Sequence, residues 1–212
     1  LFIALSQDPG SSCSIISTDG YHILLLFDDV QYHNLPLPFG NNKKVSLPNA
    51  PEKCGLNPMG YQWFDFQSGD PATIWKGVLN AADTLNGFID EQLKNYELSD
   101  DNLALVGFSQ GTMMSLHVGL RRENSMRAIV GFSGRLIAPE LLKNELKSKP
   151  PIYLIHGDMD PMVPYQETIE AEKKLLQLSL DVKAHISPNT QHSIAQDGLD
   201  IAIKFLVEKF SN

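Results

Sequence analysis

The stretch Ala104-Leu105-Val106-Gly107-Phe108-Ser109-Gln110-Gly111-Thr112 ends an apolar run on a serine with a glycine two residues to either side. The run is followed at once by helix-period apolar residues, Met113, Leu116 and Leu120, and so reads as a strand turning sharply into a helix. A serine at the apex of such a turn has strained backbone angles and crowded neighbours, and Gly107 and Gly111 remove the side chains that would collide there. The turn lifts the Ser109 hydroxyl above the C-terminal edge of a sheet, at a helix N-terminus whose amides and dipole favour developing negative charge. In such an elbow the amide of Gln110 is one donor to an oxyanion. An N-cap serine after a tight turn would produce the same five letters. The strand before and the helix after are the context that the nucleophile reading requires.

Working outward, the chain from Ile74 onward alternates short apolar runs with helix-period segments, the pattern of a mostly parallel sheet with helices on both faces. Ile74, Val78, Ala82, Leu85, Ile89 and Leu93 share one face of a long helix that ends before Ser99. Strands are expected at Asn102 to Phe108, Ala128 to Phe132, Ile152 to His156 and Val182 to Ile186. A short helix is expected near Glu140 to Leu146, a longer one from Tyr165 to Leu178, and a closing one from Ile194 to Phe210 with Leu199, Ile203, Leu206 and Val207 inward. Leu1 to Leu5, His22 to Phe27 and Val45 to Leu47 read as further strands, although the segment between the first two carries no helical period.

At 212 residues and 42 % hydrophobic content the chain is expected to form a single domain around one sizeable core. Its 25 acidic and 17 basic residues, a net charge of −8, include no basic block, which argues against nucleic acid as a partner. No apolar run reaches the ~18 to 20 residues of a membrane span, so integral membrane association is not expected and a cytoplasmic location is the default. Cys13 and Cys54 fit neither a disulfide framework nor a metal motif and read as free thiols.

A serine nucleophile needs a base, and the base needs an orienting carboxylate, in the chain order Ser, Asp, His for this kind of elbow. "IYLIHGDMDPMVP" ends a strand on two aspartates, Asp158 and Asp160, either of which can reach an imidazole while the other binds loop amides. "SPNTQHSIAQDG" sets His192 in a polar loop between the last strand and the last helix. The other histidines have duller settings: His117 on a helix, His156 at a strand end, His185 within a strand, and His22 and His33 in the less readable region.

These stretches, "GFSQGTMMSLHVGL", "HGDMDPMVPY" and "QHSIAQDGLDIAIKFL", together with "PNAPEKCGLNPMGYQWFDF", resemble the phospholipase/carboxylesterase family of α/β-hydrolases from about Pro48 to Phe210. The resemblance implies an α/β-hydrolase fold, a catalytic group of Ser109, Asp160 and His192, and hydrolysis of short- to medium-chain acyl esters without a cofactor. It also implies that Trp63 lies beside the acyl pocket, where the residue-level alternative is a core tryptophan. It allows a homodimer without fixing an interface.

Residues 1–47 match that family poorly. Its members resemble one another in a Leu-His-Gly-x-Gly turn that supplies the second oxyanion amide, and here Leu5-Ser6-Gln7-Asp8-Pro9-Gly10 stands in that place, with Pro9 lacking an amide donor. A divergent loop, a degenerate segment in a non-catalytic relative and a misassigned stretch all remain open, the missing helix period favouring the last two. The expected function is therefore a serine carboxylesterase. Its rivals are an acyl-protein thioesterase or lysophospholipase with the same residues, and a ligand-binding pseudoenzyme.

Overall fold

Each expected strand from Asn102 onward is a short apolar run, and in a parallel sheet covered on both faces such runs are buried on both sides. The computed structural model describes the backbone of residues 21–26 and 43–46, and residues 48, 50–54, 61–66 and 69–211. Among these, Tyr21–Leu26 (β1), Lys43–Ser46 (β2), Leu103–Phe108 (β5), Ala128–Phe132 (β6), Ile152–Gly157 (β7) and Val182–Ser187 (β8) form one sheet in the order β2-β1-β5-β6-β7-β8. Every neighbouring pair is parallel. Glu52–Lys53 (β3) and Tyr61–Gln62 (β4) form a separate antiparallel pair.

Among the described residues, five α-helices connect and cover the sheet: Pro71–Asn95 (α1), Gln110–Gly119 (α2), Pro139–Glu145 (α3), Gln166–Gln177 (α4) and Gln196–Ser211 (α5). Successive strand residues point to opposite faces, and the core divides accordingly. Leu103, Leu105, Ile129, Ile152 and Leu154 pack with Val78, Leu85 and Ile89 of α1, Met113 and Leu116 of α2, and Leu175 of α4. Ala104, Val106, Phe108, Val130, Phe132 and Ile155 pack with Ala202, Phe205, Leu206 and Phe210 of α5. The expected helices on both faces are therefore present. Each fully buried large apolar side chain contributes ~1.5 to 3 kcal/mol, which is why the sheet, shielded from water on both sides, can hold a strained turn at its edge.

Local chemistry sets the element ends. Asp70 caps α1, accepting from Thr73 N at 3.0 Å and Ala72 N at 3.4 Å, and Pro71 fits the first helical turn because its missing N–H has no partner there anyway. Asn102, read as strand, instead closes a 3₁₀ turn at Asp100–Asn102. Arg122 pins that turn to α1, pairing with Asp100 and reaching Asp90 at 2.7 Å and Asn86 at 3.0 Å.

The expected inward face of the closing helix needs correction. The inward stripe of α5 is Gly198, Ala202, Phe205, Leu206 and Phe210, whereas Val207 is 40 % exposed and Leu199 and Ile203 are only partly buried. Rotating the helix to bury two phenylalanine rings removes more apolar area from water than burying Val207 would. Helix α2 has no polar face: every residue from Gly111 to Gly119 is buried, as befits a helix enclosed by its neighbours. Leu1 to Leu5 lie outside the described residues. Among the described residues no helix is long and apolar enough to cross a membrane, and Cys54 is a free thiol.

Candidate active site

The elbow between β5 and α2 holds Ser109 at φ 52° and ψ −118°, a conformation costing of order 1 to 3 kcal/mol for a residue with a Cβ. Its own backbone stabilises the turn: the Ser109 N–H donates to Phe132 O at 2.9 Å and its carbonyl accepts from Met113 N at 3.2 Å. Thr112 braces it from within α2, its Oγ1 lying 2.8 Å from Gly107 O and 2.7 Å from Phe132 O. A Cβ on Gly107 would stand 2.3 Å from the Gly111 carbonyl carbon and 2.4 Å from Thr112 N. Both atoms are backbone and cannot swing aside. Gly107→Ala should therefore lower the urea midpoint, by roughly 1 to 3 kcal/mol of stability, and slow serine-directed labelling. Unchanged stability would contradict this geometry.

The first amides of α2 have no acceptor within the helix, since Met113 N is the first to bond back. The Gln110 amide belongs to this group. Its side chain does something sequence reading missed. Gln110 Oε1 accepts from Trp63 N at 2.8 Å, and Gln110 Nε2 donates to Phe64 O at 3.0 Å. The residue after the serine thus clamps the Trp63-Phe64 backbone beside the elbow. Trp63 is 2 % exposed and part of the larger core, and its indole N–H is buried without a partner among the described residues.

Asp160 and His192 come together although 32 positions apart: His192 Nδ1 lies 2.6 Å from Asp160 Oδ2. The carboxylate is fully buried, the imidazole 19 % exposed. Asp160 Oδ1 accepts the amides of Met162 at 2.8 Å and Val163 at 2.9 Å, so the turn that follows β7 orients the group. Burial pulls this carboxyl upward, but the Val163 amide, His192 and the Met162 amide together outweigh it and hold it below the ordinary aspartate range. The stabilisation that results is complete above the unfolded value near ~3.9 and is lost as pH falls through the lower folded value. With a carboxylate on Nδ1, that nitrogen carries the proton and Nε2 keeps its basic lone pair. The His192 ring packs on Phe108, the residue before the serine, with centroids 4.8 Å apart.

Asp158, the other aspartate of the pair, does something different. Its Oδ1 accepts from Thr190 N at 3.2 Å, its own amide donates to Ser187 O, and the Met159 amide donates to Thr190 O. The end of β7 is thereby bound to the loop that carries His192. A Cβ on Gly157 would stand 2.3 Å from Thr190 O, which shows how closely the two segments approach. His185 Nε2 and Asp197 Oδ2, 2.7 Å apart, link β8 to the first turn of α5.

The remaining histidines divide. His117 is buried in the core beside Trp75, and burial drives its ring down to about 3, so it stays neutral. His22 lies on β1, and His33 lies outside the described residues. His156 stands against Asp160, its Nε2 3.2 Å from Oδ2, a placement that its setting at a strand end did not announce. Leu5 to Gly10, the expected place of the second oxyanion donor, lie outside the described residues.

Residues 28–209 match the phospholipase/carboxylesterase family model. That match begins ahead of Pro48, the point from which the quoted motifs carry the resemblance. The segment before Pro48 was hard to read because an edge strand such as β2 carries no chemical motif. Acyl-protein thioesterase 1 of Debaryomyces hansenii is 30 % identical over 76 % of this chain and 73 % of its own length. The crystal structure of esterase PE8 superposes with a TM-score of 0.76 at 43 % identity, covering 80 % of each chain. Acyl-protein thioesterase 2 of Zea mays shares the fold, with a TM-score of 0.63 at 21 % identity over 84 % of each chain. An elbow serine at the edge of a parallel sheet, a buried carboxylate bound to an imidazole, and a family match over most of the chain lead to one conclusion: the protein belongs to the phospholipase/carboxylesterase family of α/β-hydrolases and is a serine hydrolase acting on ester bonds.

Proposed function

We propose that the protein is a carboxylesterase that hydrolyses short- to medium-chain acyl esters through Ser109, His192 and Asp160. The observation that carries this reading is the 2.6 Å contact between His192 Nδ1 and the buried Asp160 Oδ2, made by a ring that rests on the residue preceding Ser109. His192 Nε2 takes the hydroxyl proton as Ser109 Oγ attacks the ester carbonyl, and Asp160 stabilises the imidazolium that forms. The Gln110 amide, at the positive end of α2, donates to the oxyanion together with a second donor. The imidazolium returns its proton to the leaving alcohol, an acyl group remains on Ser109, and water repeats the sequence to release the carboxylic acid. The Gln110 side chain fastens the Trp63-Phe64 backbone to the elbow, and the segment that Trp63 anchors in the core runs beside the acyl group. A cytoplasmic location belongs to the same proposal.

A second reading, an acyl-protein thioesterase, has the 30 % identity to the Debaryomyces hansenii protein in its favour. Cleft shape rather than the catalytic group separates the two, because acyl length and leaving group are decided by what the pocket admits. A p-nitrophenyl ester series from acetate to palmitate, run beside matched acyl thioesters and a fluorophosphonate probe, tests both. The proposal expects probe labelling and the highest kcat/KM at short to medium chains. A maximum on long-chain thioesters would transfer the assignment to the thioesterase, and labelling or binding without turnover would leave a weak or non-catalytic relative.

A further inference from the structure

His156, the penultimate residue of β7, has a fully buried side chain, and both its ring nitrogens are engaged. Nε2 lies 2.8 Å from Val163 O, an atom that can only accept, so Nε2 carries the hydrogen. Nδ1 lies 2.7 Å from Thr168 Oγ1 on α4, and in the neutral ring this nitrogen accepts from the hydroxyl. Burial pushes the ring below the ordinary histidine range and keeps it neutral, with the Val163 carbonyl and Asp160 acting the other way. The charged or titratable groups that act on it among the described residues are Asp160 and His192.

The Nε2–H aims at Val163 O, and the same nitrogen lies 3.2 Å from Asp160 Oδ2, the oxygen that binds His192 Nδ1. That oxygen bonds to His192 and faces the hydrogen-bearing edge of the His156 ring in a water-excluded setting, where a fixed dipole counts for more than it would in solvent.

We propose that His156 is a positioning residue for the Asp160–His192 pair: its Nε2–H, held in that tautomer by Val163 O and the Thr168 hydroxyl, orients Oδ2 and limits how strongly that oxygen draws a proton onto His192. This rests on the assignment of Asp160 and His192 to ester hydrolysis. Without the second dipole, Oδ2 presents more uncompensated charge to the His192 ring, which favours the imidazolium and weakens the base at a given pH.

The test compares His156→Leu, which removes the donor, with His156→Gln, whose Nε2 hydrogens can reach both acceptors. In His156→Leu the acid limb of the kcat/KM profile is expected to move up by roughly half a pH unit. The expected fall in kcat is about tenfold, the scale of a slightly misplaced catalytic group, with KM for p-nitrophenyl butyrate unchanged. His156→Gln should restore both. A leucine variant with an unmoved acid limb, or a glutamine variant that behaves like the leucine one, overturns the proposal. Nitrogen-15 NMR of the wild-type histidines needs no variant to fold: a His156 that carries its proton on Nδ1 overturns the proposal equally. That readout, and the His192 ring titration followed in the same spectra, do not depend on turnover. Failure of the esterase assignment would show instead as an absence of ester hydrolysis in the wild type.

Discussion

Ser109→Ala is expected to abolish fluorophosphonate labelling and to lower ester turnover by ~10⁴ to 10⁶ in kcat, because the members of a catalytic triad act as a unit and the nucleophile has no substitute. The variant should fold normally. The elbow is stabilised by the Ser109 N–H to Phe132 O, by Met113 N to Ser109 O and by the Thr112 hydroxyl, and alanine keeps all three. An unchanged thermal midpoint would show that the loss is chemical. Intact-mass analysis after probe treatment reads the labelling directly. Persistent labelling would move the nucleophile elsewhere, and the first place to look is Ser133. It follows β6 in the same Gly-Phe-Ser sequence, whose Gly131 and Phe132 pair with Gly107 and Phe108 of the elbow strand, at φ 48° and with a buried hydroxyl that lacks a partner among the described residues.

The second large effect is Asp160→Asn, expected to lower kcat by up to ~10⁴, while Asp158→Asn costs far less. The direction follows from how Asp160 is held. Oδ1 is occupied by the Met162 and Val163 amides, so the asparagine carbonyl must take that place and its amide nitrogen must face His192. An N–H₂ group there cannot accept from Nδ1. His192 then moves its proton to Nε2 and loses the lone pair that would deprotonate Ser109. The positive edge of the His156 ring, with Nε2 3.2 Å from the same position, adds a second mismatch. Among the described residues Asp158 accepts the Thr190 amide at 3.2 Å, and an asparagine carbonyl accepts it equally well. Steady-state kinetics on one p-nitrophenyl ester separates the two variants. Equal losses, or a larger loss at Asp158, would reverse the assignment of the carboxylate.

The contrast between these aspartates shows where the sequence is informative. The order of serine, aspartate and histidine, and the strand ends on which they sit, could be read from short apolar runs broken by polar, glycine-containing stretches, since a buried parallel strand leaves a strong local signal. Taken residue by residue the two carboxylates of "GDMDP" carry the same chemistry, and only the family resemblance singles out Asp160; in the structure they differ in the amides and imidazoles that surround them. The Gln110 clamp was illegible for a similar reason. A glutamine after a nucleophile can point anywhere, and its partners at Trp63 and Phe64 lie more than 45 positions away. The inward face of α5 was misjudged because Val207 and Phe205 fit the helical period about equally well, and only the shape of the sheet face decides between them.

By itself the sequence determined the class of fold, the strained serine at a strand-to-helix turn, and the family. These rest on local patterns: residue period, glycines where a Cβ would strike backbone, and motifs only a few residues long. What the tertiary structure alone decided is which groups meet outside those motifs: Asp158 on the Thr190 amide, His156 against the Asp160 carboxylate oxygen, and Gln110 across the elbow to Trp63. The physical reason is the range of the interactions. A hydrogen bond extends about 3 Å, and whether two side chains separated by tens of residues come within it depends on how parallel strands bring their C-terminal ends to one edge, which no single stretch of the chain encodes.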